Sequence, residues 1–377
     1  MNKIYLVSYY FAPLGRADGV NRGYLVKHLV EHGWDLEVIT GNVYKSLILN
    51  FQTDPSLLEL IPKSVKIYRF DSSKGWLKHD LKNLAKSKNN HRQAWLEQVN
   101  KKFQPSEKGI VMAVVPPVDN ALAAYDLAEK YNCPLALYYP DTVLDVPPAI
   151  VERAALIIVV TPEIKSAMLS HYGKKNIIVI PHGYGEEVQL SPNKTYSDVL
   201  RMVYAGSLNF IIKPEIIGQA FKKLRRSRPD LASQLKIDFY GPSGYYAKWL
   251  LRPYLNEQLS FKGYLENSKL METLPTYDMA VTMSVNEAFP SKVFTYLNAG
   301  LPLFAMTRHQ GLVDFVKNNK IGLASDLQID NIERALIWLL TNRDQLALWR
   351  ANVLGLRNQF SLSKSVSLLD PLLKSLS

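Results

Sequence analysis

Along almost its whole length the chain alternates short apolar runs rich in β-formers with segments of helical period, and it does so twice. The run 4–10 leads into a loop carrying Pro13, Gly15 and Gly19. A helix then places Val20, Tyr24, Leu25, Leu29 and Val30 on one face and closes at Gly33, where a C-cap glycine belongs. Further strands are expected at 36–40, 65–70, 109–115, 135–139, 156–160 and 177–180, with helices at 119–131, 148–154 and 163–171. A polar stretch, 186–198, reads as a linker. The alternation restarts with strands at 202–205, 236–240, 259–262, 278–283 and 302–306. Helices are expected at 214–227, 244–255, 267–274, 291–299 and 310–318. The tail 332–376 reads as helical, broken near Gly355 and Ser361. Strand, helix and strand in repetition demand parallel sheets with crossover helices. The expected architecture is α/β: two doubly wound domains facing across a cleft. Their expected bounds are 1–190 and 191–345, with C-terminal helices at 346–377 returning to the first domain.

In such folds ligands sit beyond the carboxyl ends of the strands, so function is to be read from those loops. A length of 377 residues is a natural two-domain length. No apolar run approaches the ~18 residues of a membrane-spanning helix. A single cysteine, Cys133, excludes a disulfide framework and a cysteine-built zinc site, and the expected compartment is cytoplasmic. The net charge of +11 is local. Between Lys63 and Lys108 twelve basic residues face only four acids, which implies a polyanionic neighbour.

The most informative segment runs Asn286-Glu287-Ala288-Phe289-Pro290-Ser291-Lys292-Val293-Phe294-Thr295-Tyr296, ending at Gly300-Leu301-Pro302. It follows an expected buried strand and opens a helix at Pro290 or Ser291. Unpaired amides at a helix start, with Lys292 in the first turn, form an anion cradle, and Glu287 just upstream can accept from hydroxyls. That combination suits a sugar phosphate; spacing alone leaves an ordinary Ser N-cap and a surface Glu equally open.

Here the chain resembles the retaining GT-B glycosyltransferases, glycosyltransferase family 4 in particular, whose donor signature pairs a Glu with a Pro-Ser-Lys…Tyr…Gly-x-Pro run. Three other segments resemble the same family: Tyr9-Tyr10-Phe11-Ala12-Pro13-Leu14-Gly15, Ile180-Pro181-His182-Gly183, and Tyr204-Ala205-Gly206-Ser207 with Lys213. The resemblance implies two Rossmann-like domains and no cofactor beyond a nucleotide-sugar donor, a UDP- or GDP-sugar. It further implies Glu287 on the donor sugar, the Phe289, Pro290, Ser291 and Lys292 segment with Lys213 on the diphosphate, and Tyr264 against the base. Gly15 and Gly19 would let backbone approach the donor phosphate. Two positions depart from the family. Thr295 stands where a second Glu binds the ribose, and Ser207 where an Arg holds phosphate. Lys262 and Arg308 are the nearby cations able to substitute.

On the acceptor side, Val115-Pro116-Pro117 and Tyr138-Tyr139-Pro140-Asp141 lie at expected strand ends. Asp141 is the candidate acceptor contact or proton acceptor, with a capping Asp as the plain alternative. His182 is a hinge-side candidate, and equally a packed histidine. The basic stretch 74–103 places Trp76, Lys78, Lys82 and Lys86, followed by Trp95, in a pattern that fits a helix on an anionic membrane surface or a solvated helix packed on its own domain.

No Gly-x-Gly-x-x-Gly, Gly-Lys-Ser/Thr loop, Asp-x-Asp or His-Glu-x-x-His is present, so dehydrogenase, P-loop, GT-A and zincin readings lose support, and no metal is expected. The reading that results is a metal-independent hexosyl-type glycosyltransferase. It would move a sugar from a nucleotide-sugar to a glycan or lipid-linked acceptor in polysaccharide or glycoconjugate biosynthesis, and would be cytoplasmic or peripheral on the inner face of the cell membrane. A catalytically silent nucleotide-sugar-binding protein and a nucleotide-sugar epimerase stay open; nucleic acid is not an expected partner, because no base-reading module accompanies the lysines.

Overall fold

The computed structural model describes residues 2–42, 52–70, 90–173, 176–191, 194–208, 212–242, 249–284 and 289–376. It divides into two compact units, Met1–Gly185 with Ser361–Ser377, and Glu186–Phe360. The first boundary falls at the start of the expected linker, and the chain returns at Ser361 rather than at 346.

Unit 1 is built on a seven-stranded parallel sheet, in the order β3-β2-β1-β4-β5-β6-β7. Its strands are β1 (Lys3–Val7), β2 (Asp35–Gly41), β3 (Lys66–Phe70), β4 (Ile110–Val114), β5 (Leu135–Tyr139), β6 (Leu156–Val159) and β7 (Ile177–Val179). Residues of β1, β4, β5 and β6 are buried throughout, as a parallel sheet covered on both faces requires. The central register pairs Leu6 with Val38 on one side and with Met112 on the other. From β1 the chain steps to β2, and β4 lies on the other side, so the topological switch falls between β1 and β4.

Unit 2 repeats the plan with six strands ordered β10-β9-β8-β11-β12-β13. These are β8 (Leu200–Ala205), β9 (Leu235–Tyr240), β10 (Leu259–Gly263), β11 (Met279–Ser284), β12 (Leu303–Thr307) and β13 (Gly322–Ser325). The switch here falls between β8 and β11. The last strand, β13, has no counterpart in the sequence reading. It is four half-buried residues long, and Gly322 lets it approach so closely that a Cβ there would lie 1.9 Å from the Leu303 carbonyl oxygen.

The C-terminal helices also differ in detail. The helix Gln345–Arg357 runs through Gly355 without a break, because that position faces open space and costs only the ordinary helix penalty of a glycine. It ends with buried Arg357 donating to the Asn298 carbonyl at 3.0 Å, which ties it into unit 2. The helix Leu362–Lys374 belongs to unit 1, where Trp34 Nε1 donates to Asp370 at 2.9 Å. Among the described residues no helix is long and apolar enough to cross a membrane.

Candidate functional site

Three strand ends of unit 2 close on glycines with positive φ: Gly206 at +155°, Gly241 at +136° and Gly263 at +82°. They are staggered against one another, with the Gly206 N–H donating to Tyr240 and the Gly241 N–H to Gly263, at 2.9 and 2.8 Å. A Cβ on Gly241 would sit 2.1 Å from the Gly206 oxygen. One on Gly206 would sit 2.5 Å from Lys292 Nζ. The missing side chains therefore leave a shallow backbone platform beyond β8 and β9, and they allow a cation to lie directly on it.

That cation is placed by two tyrosines. Lys292 opens the helix Lys292–Asn298, and its Nζ donates to the Tyr204 hydroxyl at 2.8 Å while lying 4.2 Å from the centre of the same ring. The Tyr204 hydroxyl in turn donates to the Ser207 carbonyl at 3.1 Å. Tyr296, one turn further along the helix, accepts from the Ala205 N–H at 2.8 Å and donates to the Ala205 carbonyl at 3.1 Å. So the helix after β11 is locked to the end of β8, and the ammonium is fixed between them across the switch point. Desolvation lowers the Lys292 pKa, against a raising influence from Tyr296. Among the described residues no carboxylate lies within ion-pair distance of it. An ammonium in such a desolvated setting is stabilised by any anion brought beside it.

The remaining expected donor residues are distributed as follows. Phe289 stacks in an aromatic cluster with Phe294, Phe315 and His309, which anchors the segment before the helix. Ser291 occupies the N-cap position without a side-chain cap bond. Pro290 has no N–H, so it adds no amide to a cradle, and the first helical bonds occupy the amides of Val293 and Phe294. Lys213 is exposed, with φ +50°, just before the helix Glu215–Ser227. Thr295 and Tyr264 are half-buried. Lys262 pairs with Asp238 at 3.7 Å, while Arg308 stands exposed just beyond β12. Glu287 lies outside the described residues, as do Trp76, Lys78, Lys82 and Lys86.

Unit 1 carries a second polar cluster at its own switch point. Buried Arg22 donates to the Tyr10 carbonyl at 2.8 Å and to the Pro116 carbonyl at 3.0 Å, joining the loops after β1 and β4, and it pairs with Asp18 at 3.3 Å. Asn120 reinforces the junction, accepting from the Tyr9 N–H at 2.9 Å and donating to the Val114 carbonyl at 2.6 Å. Asp141, just beyond β5, keeps an exposed surface, yet desolvation pushes its carboxyl up to about 6, with Asp18 adding to the rise and Arg22 opposing it. Burial holds His182 down at about 4, so it is a neutral imidazole near pH 7 and supplies no charge.

Both glycines of the first loop serve the fold directly. The Gly15 N–H donates to the Gln52 carbonyl at 2.8 Å, and a Cβ on Gly19 would lie 2.0 Å from the Leu14 oxygen. Of the two readings of the basic stretch, Trp95 follows the one in which it packs on its own domain, and not the membrane-surface one. It is fully buried against Tyr9, at 5.2 Å between ring centres, because the helix Asn90–Lys102 turns Trp95 and Val99 into the core of unit 1. Sequence reasoning misses Tyr204, Tyr296 and Arg22 as organisers of the two switch points. The first two stand inside quoted motifs, but nothing in the sequence says that their hydroxyls meet across strands. Among the described residues no group of three or more His, Cys, Asp or Glu side chains is placed to hold a metal.

Residues 187–353, essentially all of unit 2, match the family model for glycosyl transferases group 1. No curated protein matches the chain. Among solved structures, sucrose-phosphate synthase from Thermosynechococcus elongatus superposes with a TM-score of 0.72 at 16% identity, covering 100% of this chain and 99% of that one. The pneumococcal O-GlcNAc transferase GtfA, solved with UDP and GlcNAc, gives 0.71 at 11%, covering 99% of each chain. Anabaena Alr3699/HepE, solved with UDP and glucose, gives 0.70 at 13%, covering 100% of each. The fold is the GT-B fold of glycosyltransferases.

Proposed function

We propose, from a unit 2 that matches glycosyl transferases group 1 and a chain with the GT-B fold, that this protein transfers a sugar from a nucleotide-sugar to a glycan or lipid-linked acceptor. The observation that carries the proposal is Lys292: an ammonium held by Tyr204 on the Gly206 platform, at the sheet edge where α/β folds bind ligands. A nucleoside diphosphate would bring its negative charge beside this ammonium. The same cation does the chemical work. As the glycosidic bond breaks, negative charge grows on the leaving diphosphate, and a preplaced ammonium in a desolvated setting stabilises that charge more than it stabilises the bound donor. With lysine filling this role the reaction needs no metal, and we assign it retention of configuration. Lys213 and Arg308 are proposed to complete the phosphate contacts, and Glu287 to take the donor-sugar hydroxyls.

Donor recognition belongs to unit 2 in this reading and acceptor recognition to unit 1, where Asp141 beside Arg22 is the proposed acceptor contact. Its raised pKa leaves it able to take a proton from an acceptor hydroxyl near neutral pH. The structures of Alr3699/HepE and GtfA, solved with UDP, support a UDP-sugar as the first donor to try. Membrane association is proposed for the basic stretch around Trp76, Lys78, Lys82 and Lys86, without Trp95. Co-sedimentation should favour anionic over neutral vesicles, and equal or absent binding removes that part. The transfer reaction itself is tested by donor hydrolysis and transfer assays with UDP-glucose and UDP-GlcNAc. Product formation lost in Lys292→Gln supports the assignment, and turnover unaffected by that change removes it.

A further inference from the structure

Unit 2 carries a second recess, on the flank formed by the start of the helix Glu215–Ser227 and the segment 249–254. It has a volume of about 470 Å³ and is lined by Glu215, Gln219, Trp249, Leu250, Arg252 and Tyr254, together with Pro253. None of Ser207, Lys213, Tyr264 or Lys292 lines it. Its back wall is specified by the sequence: a Cβ on Gly218 would come within 2.6 Å of the Tyr254 ring, so the glycine is what allows that ring to lie against the helix. Its outer wall is Trp249, 66% exposed, the most open of the large apolar side chains described. Two polar groups in the recess are unspent among the described residues. Glu215 Oε2 is out of contact with solvent and has no hydrogen-bond partner. Arg252 is exposed, with no carboxylate within ion-pair distance.

We propose that this recess is an accessory carbohydrate-binding site, which holds neutral hexose units of a glycan chain away from the Lys292 site. The chemistry is that of sugar recognition. An indole face offers a flat, weakly polar surface to the C–H face of a pyranose. An amide and a guanidinium of the same lining, Gln219 and Arg252, accept from and donate to its hydroxyls. The Glu215 carboxylate argues against an anionic headgroup in the same place, and a concave recess argues against a flat lipid surface. An accessory grip of this kind would raise the local concentration of a growing acceptor chain.

The test uses the full chain and three probes, maltohexaose, cellohexaose and chitohexaose, titrated by calorimetry with UDP held at saturation. At least one should bind the wild type. Trp249→Ala should weaken that binding by about tenfold, and Arg252→Gln by several-fold, the losses expected for a stacking face and a single hydrogen-bonding group. Trp249→Phe should retain most of it. The thermal shift given by UDP should be unchanged in all three variants, which separates failure of this site from failure of the Lys292 site. Silence of all three sugars with the wild type, or wild-type affinity in Trp249→Ala, overturns the proposal. Binding to anionic vesicles that Trp249→Ala abolishes would assign the surface to lipid instead, and likewise overturns it.

Discussion

Lys292 Nζ and the Tyr204 hydroxyl lie 2.8 Å apart, joining the helix that follows β11 to the strand β8 on the other side of the switch point. The bond fixes the direction of the ammonium without neutralising it. Tyr204→Phe removes that constraint and leaves only the ring beneath the cation. Nucleoside-diphosphate binding should weaken by only a few-fold, because the variant loses a positioning contact and keeps the charge. Calorimetry on the variant checks this, and an unchanged dissociation constant would mean that Tyr204 does not position Lys292.

Tyr296 satisfies both backbone groups of Ala205, at 2.8 and 3.1 Å, and all three groups are buried. Tyr296→Phe keeps the ring and strands two buried polar groups at once. Stability should fall by about 2 kcal/mol or more, given the usual cost of an unsatisfied buried group. Urea denaturation reads the loss directly, and a wild-type midpoint would show that water or relaxation replaces the hydroxyl.

The two platform glycines should fail in different ways. Gly241→Ala places a methyl 2.1 Å from the Gly206 oxygen at φ +136°, so the backbone must move and the melting temperature should drop markedly. Gly206→Ala meets mainly the end of a flexible side chain, Lys292 Nζ at 2.5 Å. Its φ of +155° strains an L residue as well, but the atom it meets can move, so its cost in stability should be smaller and its cost in nucleotide binding larger. Equal effects of the two changes on binding and stability would contradict the platform.

Asp141 gives the pH dependence its sign. Its carboxyl is raised from 3.8 to about 6 in the folded protein, first by desolvation and then by Asp18. Ionisation therefore costs the folded state. The stability that comes from keeping it protonated is fully present below the unfolded value and is lost as pH rises through the folded one. Asp141→Asn should melt above wild type at about pH 8, and the difference should shrink as pH falls toward about 3.5. A constant difference across that range would place the effect elsewhere.

Much of the fold is legible in the amino-acid sequence, because period and burial are local signals. The two strand–helix alternations and the linker near 186 stand in the pattern of apolar residues alone. The strand β13 escapes that pattern, since four half-buried residues opening on Gly322 carry neither alternation nor a continuous apolar run. Gly355 reads as a break and is an ordinary helical residue, because a glycine facing open space weakens a helix without ending it. Trp95 reads as interfacial from the lysines around it, whereas Tyr9, far away in sequence, covers it. At the site the motif marks Lys292 correctly as a first-turn cation. What it leaves hidden is the partner: whether Tyr204 points at Lys292 depends on how two non-adjacent segments are staggered, and that is a tertiary property. The departure at Thr295 is visible in the sequence, and the half-buried hydroxyl found there supplies no charge in place of the expected carboxylate.

The central claim is that Lys292 binds a nucleoside diphosphate at the switch point of unit 2. It is tested most directly by calorimetry across UDP, GDP, ADP, CMP and TDP, on the wild type and on Lys292→Gln. One nucleotide should bind the wild type and lose about tenfold or more in affinity in the variant, as the loss of a charge-assisted contact requires. Silence across the panel in the folded protein, or equal affinity in the variant, would contradict it.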